Sequence, residues 1–521
     1  MTALLDLLAP PPIVLEHEQP LSRSMLWQLQ RAFFAQQGIE AWRQGTVPHY
    51  VTSNPFIADA YAHVVAAYAQ EHPDQPLHIV ELGAGSGRFA FHFLKAFLPL
   101  HRRARAAPVR YVMTDLVADT VAFWRAHPPL QPFVEAGVLD FAQFDVERDR
   151  ELHLEVSGDV LGGDRPAPLV VIANYVFDGV PLDVFRVEHG RLDEGLVSVL
   201  APADAPPADD PAVLSRARLA YTYRPAADAP YDDPDFNRVL AGYRTRTSRA
   251  IVRFPVAALA CCRSLIALSG GRMLLLTADK GSLEPGGPSA LHTPQLTVHG
   301  SFSLDVDYHA IAEYLRLRGG ELLGAPRKNA DLVVAGFLVG QASGDCPATR
   351  HAFDDAIARF GPDDFFALKR GFEIVLGALD LDALLAFLRL ARGDARLLRQ
   401  CLPHLARHAA IASDRARADL IDVLDQTWDR YYDFDEPYDL AFEIGFLLTE
   451  LRAFAEAGAY FERSLARRGD NPHVAFNLAL CHYRRHRLAE ACAWALRTLA
   501  LDPAHTDAKA MRDELTLARP G

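Results

Sequence analysis

His78-Ile79-Val80-Glu81-Leu82-Gly83-Ala84-Gly85-Ser86-Gly87 is the stretch that decides the fold. A short apolar run ends in an acid, three glycines follow at alternate positions, and residues 89–98 (FAFHFLKAFL) then read as a helix. Glycines at that junction let the backbone turn tightly and let a ligand approach without a Cβ in the way. Strand, glycine turn and helix open a βα unit. Further along, residues 109–116 (VRYVMTDL), 138–147 (VLDFAQFDVE), 168–176 (PLVVIANYV) and 272–281 (RMLLLTADKG) read as four more strands. Repeated β-α alternation predicts an α/β domain with a doubly wound, mainly parallel, Rossmann-like sheet. Residues 321–324 (ELLG) and 331–340 (DLVVAGFLVG) are expected to close it as an antiparallel hairpin.

Upstream, residues 1–75 carry apolar positions at helical spacing and are expected to be a helical part of the same domain. The sheet domain itself is expected over 76–345. Residues 201–235 are rich in Pro, Ala and Asp, which predicts a loop or a cap insertion spanning about 200–250. Residues 253–268 (RFPVAALACCRSLIAL) read as a helix. Strand signals end near 345, and 351–521 reads as helix throughout. That region contains a gapless internal repeat, 445–465 against 479–499, in which Gly445 matches Ala479, Ala457 matches Ala491, Phe461 matches Ala495 and Leu465 matches Leu499. The period is 34 residues, with small residues where two helices would cross closely and Pro503 after the second copy. This resembles the tetratricopeptide repeat.

Bulk properties narrow the function classes. With 521 residues the chain exceeds one ordinary core. A formal net charge of −13 opposes a nucleic-acid footprint. No stretch reaches the ~20 apolar residues of a bilayer span, and the N-terminus lacks the basic start of a signal peptide. The six cysteines form no Cys-x-x-Cys pair and have no His partner at zinc spacing. Reduced, buried thiols in a cytoplasmic protein without a metal are the expectation.

The glycine loop suits a nucleoside ligand at the carboxyl end of a parallel sheet. A dinucleotide fingerprint is Gly-x-Gly-x-x-Gly. Here the spacing is Gly-x-Gly-x-Gly, and Glu81 would repel a pyrophosphate while suiting the ammonium of a methionine moiety. Asp115 ends the second strand, where a carboxylate can accept from both ribose hydroxyls; Asp145 ends the third, where it can accept from an adenine amino group. Glu81, Gly83, Ala84, Gly85, Gly87, Asp115, Leu116, Asp145 and Val146 are therefore the expected cofactor-binding positions, and S-adenosylmethionine is the expected cofactor. Asn174, Tyr175 and Asp178 follow the fourth strand, which faces the crevice. Asp178 and Glu194 are candidate bases or cation binders. His299, Asp305 and Asp307 are weaker candidates, Asp307 because a helix begins directly after it.

The sequence resembles the MidA-type class I methyltransferases, which include a mitochondrial complex I assembly factor that methylates a protein arginine. The resemblance covers roughly residues 20–340. It rests on His49-Tyr50-Val51-Thr52-Ser53-Asn54-Pro55, the loop from Glu81 to Gly87, Ala173-Asn174-Tyr175-Val176-Phe177-Asp178-Gly179-Val180-Pro181, Glu194, and Val306-Asp307-Tyr308. It implies that Thr52 and Asn174 border the cofactor and that Asn174, Tyr175, Asp178 and Glu194 surround the reacting centre. Tyr175 departs from the family's Glu, and Ser301 and Asp305 stand where the family has Asp and His. The carboxylate that would pair a guanidinium is thus missing at 175. The resemblance implies transfer of a methyl group to a protein or peptide side chain, an arginine or another nitrogen, with the repeats binding substrate or partner or pairing two copies. A non-catalytic scaffold on the same fold, a small-molecule methyltransferase and a dinucleotide oxidoreductase are the rival readings.

Overall fold

The computed structural model describes residues 11–104, 107–162, 168–285, 291–324, 332–341, 345–409 and 411–517. The chain divides into two compact units, Met1–Phe366 and Ala367–Gly521. The first is built on a seven-stranded sheet: β1 (Leu77–Leu82), β2 (Val109–Asp115), β3 (Leu139–Gln143), β4 (Leu169–Asn174), β5 (Met273–Asp279), β6 (Gly320–Leu323) and β7 (Val333–Val339). Their order across the sheet is β6-β7-β5-β4-β1-β2-β3. The five strands from β5 to β3 are parallel, and β7 pairs antiparallel with both β5 and β6.

The chain crosses from one side of β1 to the other when it passes from β3 to β4. That switch leaves a crevice beyond the carboxyl ends of β1 and β4, the usual ligand position in such sheets. The strands hold the crevice rigidly because they are apolar on both faces: Ile79, Val80, Val112, Val170, Val171, Ile172, Leu274 and Leu275 are fully buried. Each such side chain contributes roughly 1.5–3 kcal/mol of burial.

Two expectations are corrected. Residues 1–75 are not wholly helical, since Ile13–Pro20 is a strand that pairs antiparallel with Arg191–Ala201. The 200–250 segment is not merely a loop or cap. Arg218–Pro225 pairs with Arg191–Ala201, and Arg249–Phe254 pairs with Asp183–Glu188. Together these strands form a second, antiparallel sheet with its own core of Leu182, Val184, Val197, Val199, Leu214 and Phe302. The residues expected to begin a helix at 253 start it later, at Val256–Leu268. Upstream of β1, Pro55–Glu71 is a helix as its pattern predicts. Asn54 caps it, accepting from Phe56 N and Ile57 N at 3.0 and 3.2 Å, and Pro55 supplies the first helical position.

The second unit is helical throughout its described residues. Leu440–Glu450 and Phe454–Arg468 form one hairpin, and Pro472–Arg484 and Leu488–Leu501 the next. A Cβ on Gly445 would lie 2.8 Å from the Phe461 ring, so the first hairpin combines no side chain with a large one. The matched positions of the second are Ala479 and Ala495, both fully buried. The size exchange keeps the two helices of each pair close. The six cysteines are free, and all but Cys492 are buried. Among the described residues no helix is long and apolar enough to cross a membrane, and no cluster could hold a metal ion.

Candidate functional site

A cavity of about 370 Å³ opens in the first unit at the carboxyl ends of the parallel strands. Gly83, Asp115, Leu116, Asp145, Val146, Tyr175 and Asp178 line it. The glycine turn is built as its residues dictate: Gly83, Gly85 and Gly87 have φ of +60°, +51° and +74°, a region other residues rarely adopt. The turn is tied to its neighbours. Ala84 N donates to Thr114 O at 2.8 Å, Trp124 Nε1 to Gly85 O at 2.9 Å, and Gly85 N to Asp115 Oδ2 at 3.3 Å. Gly87 begins the helix Arg88–Ala104, away from the cavity wall.

Glu81 is buried at the end of β1 and accepts the Tyr111 hydroxyl at 2.8 Å. Burial raises its pKa to about 8, and nearby Asp115 adds to the rise while the Tyr111 hydroxyl opposes it. Burial likewise raises Asp115 to about 6 against hydrogen bonds from backbone N–H groups, Val117 at 3.0 Å among them. Asp145 lies just beyond β3 and takes a two-pronged contact from Arg31 at 2.9 and 3.1 Å. Burial alone would raise its pKa, but the Arg31 guanidinium holds it below the ordinary range. Arg31 also pairs with Glu147. This arginine clamp over the third-strand acid is absent from the sequence reading, because it comes from residue 31 on a distant helix.

Beyond β4, Tyr175 has φ +53°, a strained backbone for a residue with a side chain. Its N–H donates to Ala278 O at 2.9 Å, which pins the strained turn to β5. Burial raises the Tyr175 phenol pKa, and the carboxylates of Asp178, Asp279 and Asp363 raise it further. Asn174 and Thr52 are brought together behind the cavity: Asn174 Nδ2 points at Thr52 O at 3.5 Å, and Tyr61 donates to Asn174 Oδ1 at 3.1 Å. Neither Thr52 nor Asn174 lines the cavity; their chain neighbours Val51 and Tyr175 do.

Glu194 is a correction. It lies in the second sheet, paired with Arg224 at 2.8 Å, and does not reach the cavity. The hairpin of Asp183–Glu188 and Arg191–Ala201 that carries it belongs to the second, antiparallel sheet. Asp307 also serves another purpose. It caps the helix Tyr308–Leu317 through Ala310 N at 3.1 Å and accepts the Tyr243 hydroxyl at 2.7 Å.

Several cavity residues escaped the sequence reading. Trp42 lies over the glycine turn, and Trp27, Gln30, Phe34 and Phe302 form an apolar wall with one amide. Lys280 follows β5 into the cavity. Asp279 ends β5, fully buried, and its Oδ1 lies 3.4 Å from Asp178 N. An acid at the carboxyl end of a parallel strand is the same signal that singled out Asp115, so Asp279 was findable. Ser301 Oγ and His299 Nδ1 are buried at the cavity without a hydrogen-bond partner among the described residues. Buried polar atoms are normally satisfied, so these two are available to a polar ligand.

Residues 57–262 match the model of a family described as "Putative S-adenosyl-L-methionine-dependent methyltransferase". Among curated proteins, none matches the chain. Two solved structures, both from Burkholderia thailandensis and of one superfamily, are similar. The first, an uncharacterised protein, is 17% identical over 64% of this chain and 90% of its own, with a TM-score of 0.40. The second, described as a "likely methyl transferase" bound to S-adenosyl-homocysteine, is 19% identical over 59% of this chain and 74% of its own, with a TM-score of 0.38. The family match makes S-adenosylmethionine the cofactor. The residues fit such a group: a glycine whose missing side chain leaves the cavity wall clear, a carboxylate at the next strand end, and buried polar atoms at the cavity without partners among the described residues.

Proposed function

We propose that the protein is a methyltransferase of the EC 2.1.1 class that methylates a nitrogen on a protein or peptide side chain. The observation that carries the reading is the junction of Gly83 and Asp115 on one cavity wall, at the carboxyl end of the parallel strands. Gly83 would meet the methionine end of the cofactor, with Glu81, Ala84 and Gly85 behind it shaping the turn, while Asp115 and Leu116 would hold the ribose and Val146 the adenine. Asp145, already clamped by Arg31, would meet the adenine amino group only with its remaining lone pairs. When bound, the cofactor supplies an electrophilic methyl group on a sulfonium. The chain has to aim a lone pair at that carbon and exclude water. Tyr175 and Asp178 stand on the strained turn beyond β4 and would face the acceptor.

A protein acceptor is supported by the helical second unit. Paired helices with a 34-residue period, read as tetratricopeptide-like, form extended surfaces that receive peptide segments. On this reading the repeats bind the substrate protein or a partner. Calorimetry with S-adenosylmethionine against NAD tests the cofactor half. Mass spectrometry of a cell extract incubated with labelled methyl donor and the full chain tests the acceptor half. Label appearing only in small molecules would overturn the protein assignment.

A further inference from the structure

The turn beyond β4 and the end of β5 bring two carboxyl groups together. Asp178 lines the cavity and is 8% exposed; Asp279 sits behind it and is 0% exposed. The Asp178 N–H points at Asp279 Oδ1 at 3.4 Å, which seats the buried Asp279 carboxyl against the Asp178 backbone. Tyr308 donates its hydroxyl to Asp279 Oδ2 at 2.8 Å, and the Thr277 hydroxyl lies 3.4 Å from the same oxygen. The surroundings are locked as well. Leu304 N donates to Asp178 O at 2.9 Å and Val306 N to Lys280 O at 2.8 Å, so β4, β5 and the 299–306 segment are knitted around the pair. Two neighbouring carboxyl groups so deeply buried resist ionising together. A shared proton is the arrangement that satisfies both, and the pair then titrates as one unit.

We propose that Asp178 and Asp279 form one proton-accepting unit, with Asp279 as the buried positioning partner and Asp178 as the group that takes the acceptor's proton. The inference rests on the methyltransferase reading. In the reaction the acceptor nitrogen's lone pair forms the new C–N bond and the C–S bonding electrons remain on sulfur, which becomes a neutral thioether. The N–H proton passes to Asp178. With one proton shared beforehand, the pair presents a single negative charge to the cavity, enough to draw in a cationic side chain and to receive one proton. Burial raises the pKa of both acids, and Asp178 raises that of Asp279 further. The groups facing the pair are Lys280, which lowers Asp178, Asp305, which raises it, and the phenols of Tyr308, Tyr61 and Tyr175.

The test uses the full chain with aspartate labelled in its carboxyl carbon. Infrared titration is expected to show one protonated aspartate carboxyl at neutral pH, lost in both Asp178→Asn and Asp279→Asn. Tyr308→Phe, which leaves the cavity wall intact, is expected to shift the midpoint of that band. A carboxyl signal indifferent to all three substitutions overturns the pair. S-adenosylhomocysteine calorimetry on the same variants keeps the two readings apart. Failure of the wild type to bind sinks the methyltransferase reading, and a missing carboxyl signal with intact binding sinks only the pair. For the base role, labelling of extract protein by Asp178→Asn should fall about 100-fold or more while S-adenosylhomocysteine affinity holds. Asp178→Glu should recover part of the rate. Labelling by Asp178→Asn at the wild-type rate overturns the role.

Discussion

The indole of Trp42 lies against Gly85, so that a Cβ at that glycine would sit 2.8 Å from Trp42 Cε2. Trp42 also stacks on Phe34, with ring centroids 5.8 Å apart and planes 20° from parallel. The glycine turn therefore reaches the cavity through Gly83, while an aromatic ring closes it on the Cβ side of Gly85. Gly85→Val must displace that ring as well as adopt a left-handed backbone. We expect S-adenosylhomocysteine binding to be lost, while circular dichroism stays that of the wild type. Trp42→Phe should keep binding and remove most of the fluorescence change that accompanies it. Undiminished binding by Gly85→Val would contradict the assignment of the turn.

Asp115 and Glu81 make cofactor binding and stability respond to pH in opposite directions. Asp115 titrates near 6 in the folded chain. A ribose hydroxyl donates better to the ionised form, so S-adenosylhomocysteine affinity should rise as pH passes from 5 to 7, and Asp115→Asn should flatten the rise. Glu81 titrates near 8 when folded and near its ordinary value when unfolded. Between those values the unfolded chain releases the proton that the folded chain keeps. Stability from this group is present at low pH and is lost as pH rises toward 8. Glu81→Gln should thus raise Tm at pH 8 more than at pH 5, at the expense of cofactor affinity. Equal Tm changes at both pH values would refute the buried, proton-holding state of Glu81.

Ser301 is fully buried, and its hydroxyl has no partner among the described residues. An unsatisfied buried hydroxyl costs on the order of 1–3 kcal/mol. Ser301→Ala should leave the free protein as stable or about 1 kcal/mol more stable by thermal unfolding, and should weaken labelling of extract protein. A clear loss of stability would mean that the hydroxyl already has a structural partner.

Truncation removes most of the second unit. A chain ending at residue 380 keeps the helix Pro362–Val375 whole and removes the hairpins beyond it. S-adenosylhomocysteine affinity should stay within about twofold of the full chain, because every residue of the cavity wall precedes the cut. Labelling of extract protein should fall through weaker acceptor binding. Full labelling by the truncated chain would remove the binding role from the repeats.

Most of the parallel sheet was legible in the sequence because its strands are buried on both faces and separated by helices. The run 79–82 leads into a glycine turn, and 169–173 is a short apolar run rich in β-branched residues, so both read as strands. The glycine loop and Asp115 were legible for the same local reason, since a loop between a strand and a helix has one place in the fold. The second sheet was not. Its strands carry charged and aromatic residues in mixed order, as at 218–225, and gain their order only from pairing: 218–225 with 193–200, 249–254 with 183–188, and 13–20 with 196–201. The Arg31 clamp on Asp145, the Trp42 cover on Gly85 and the exclusion of Glu194 are likewise tertiary. Each joins or separates residues more than 40 positions apart or on different sheets, and no spacing rule spans that gap. Asp279 stands between the two cases. Its place at a strand end was in the sequence, but its pairing with Asp178, 101 residues away, came only when β4 and β5 lay side by side in parallel and put their two ends into one dry pocket.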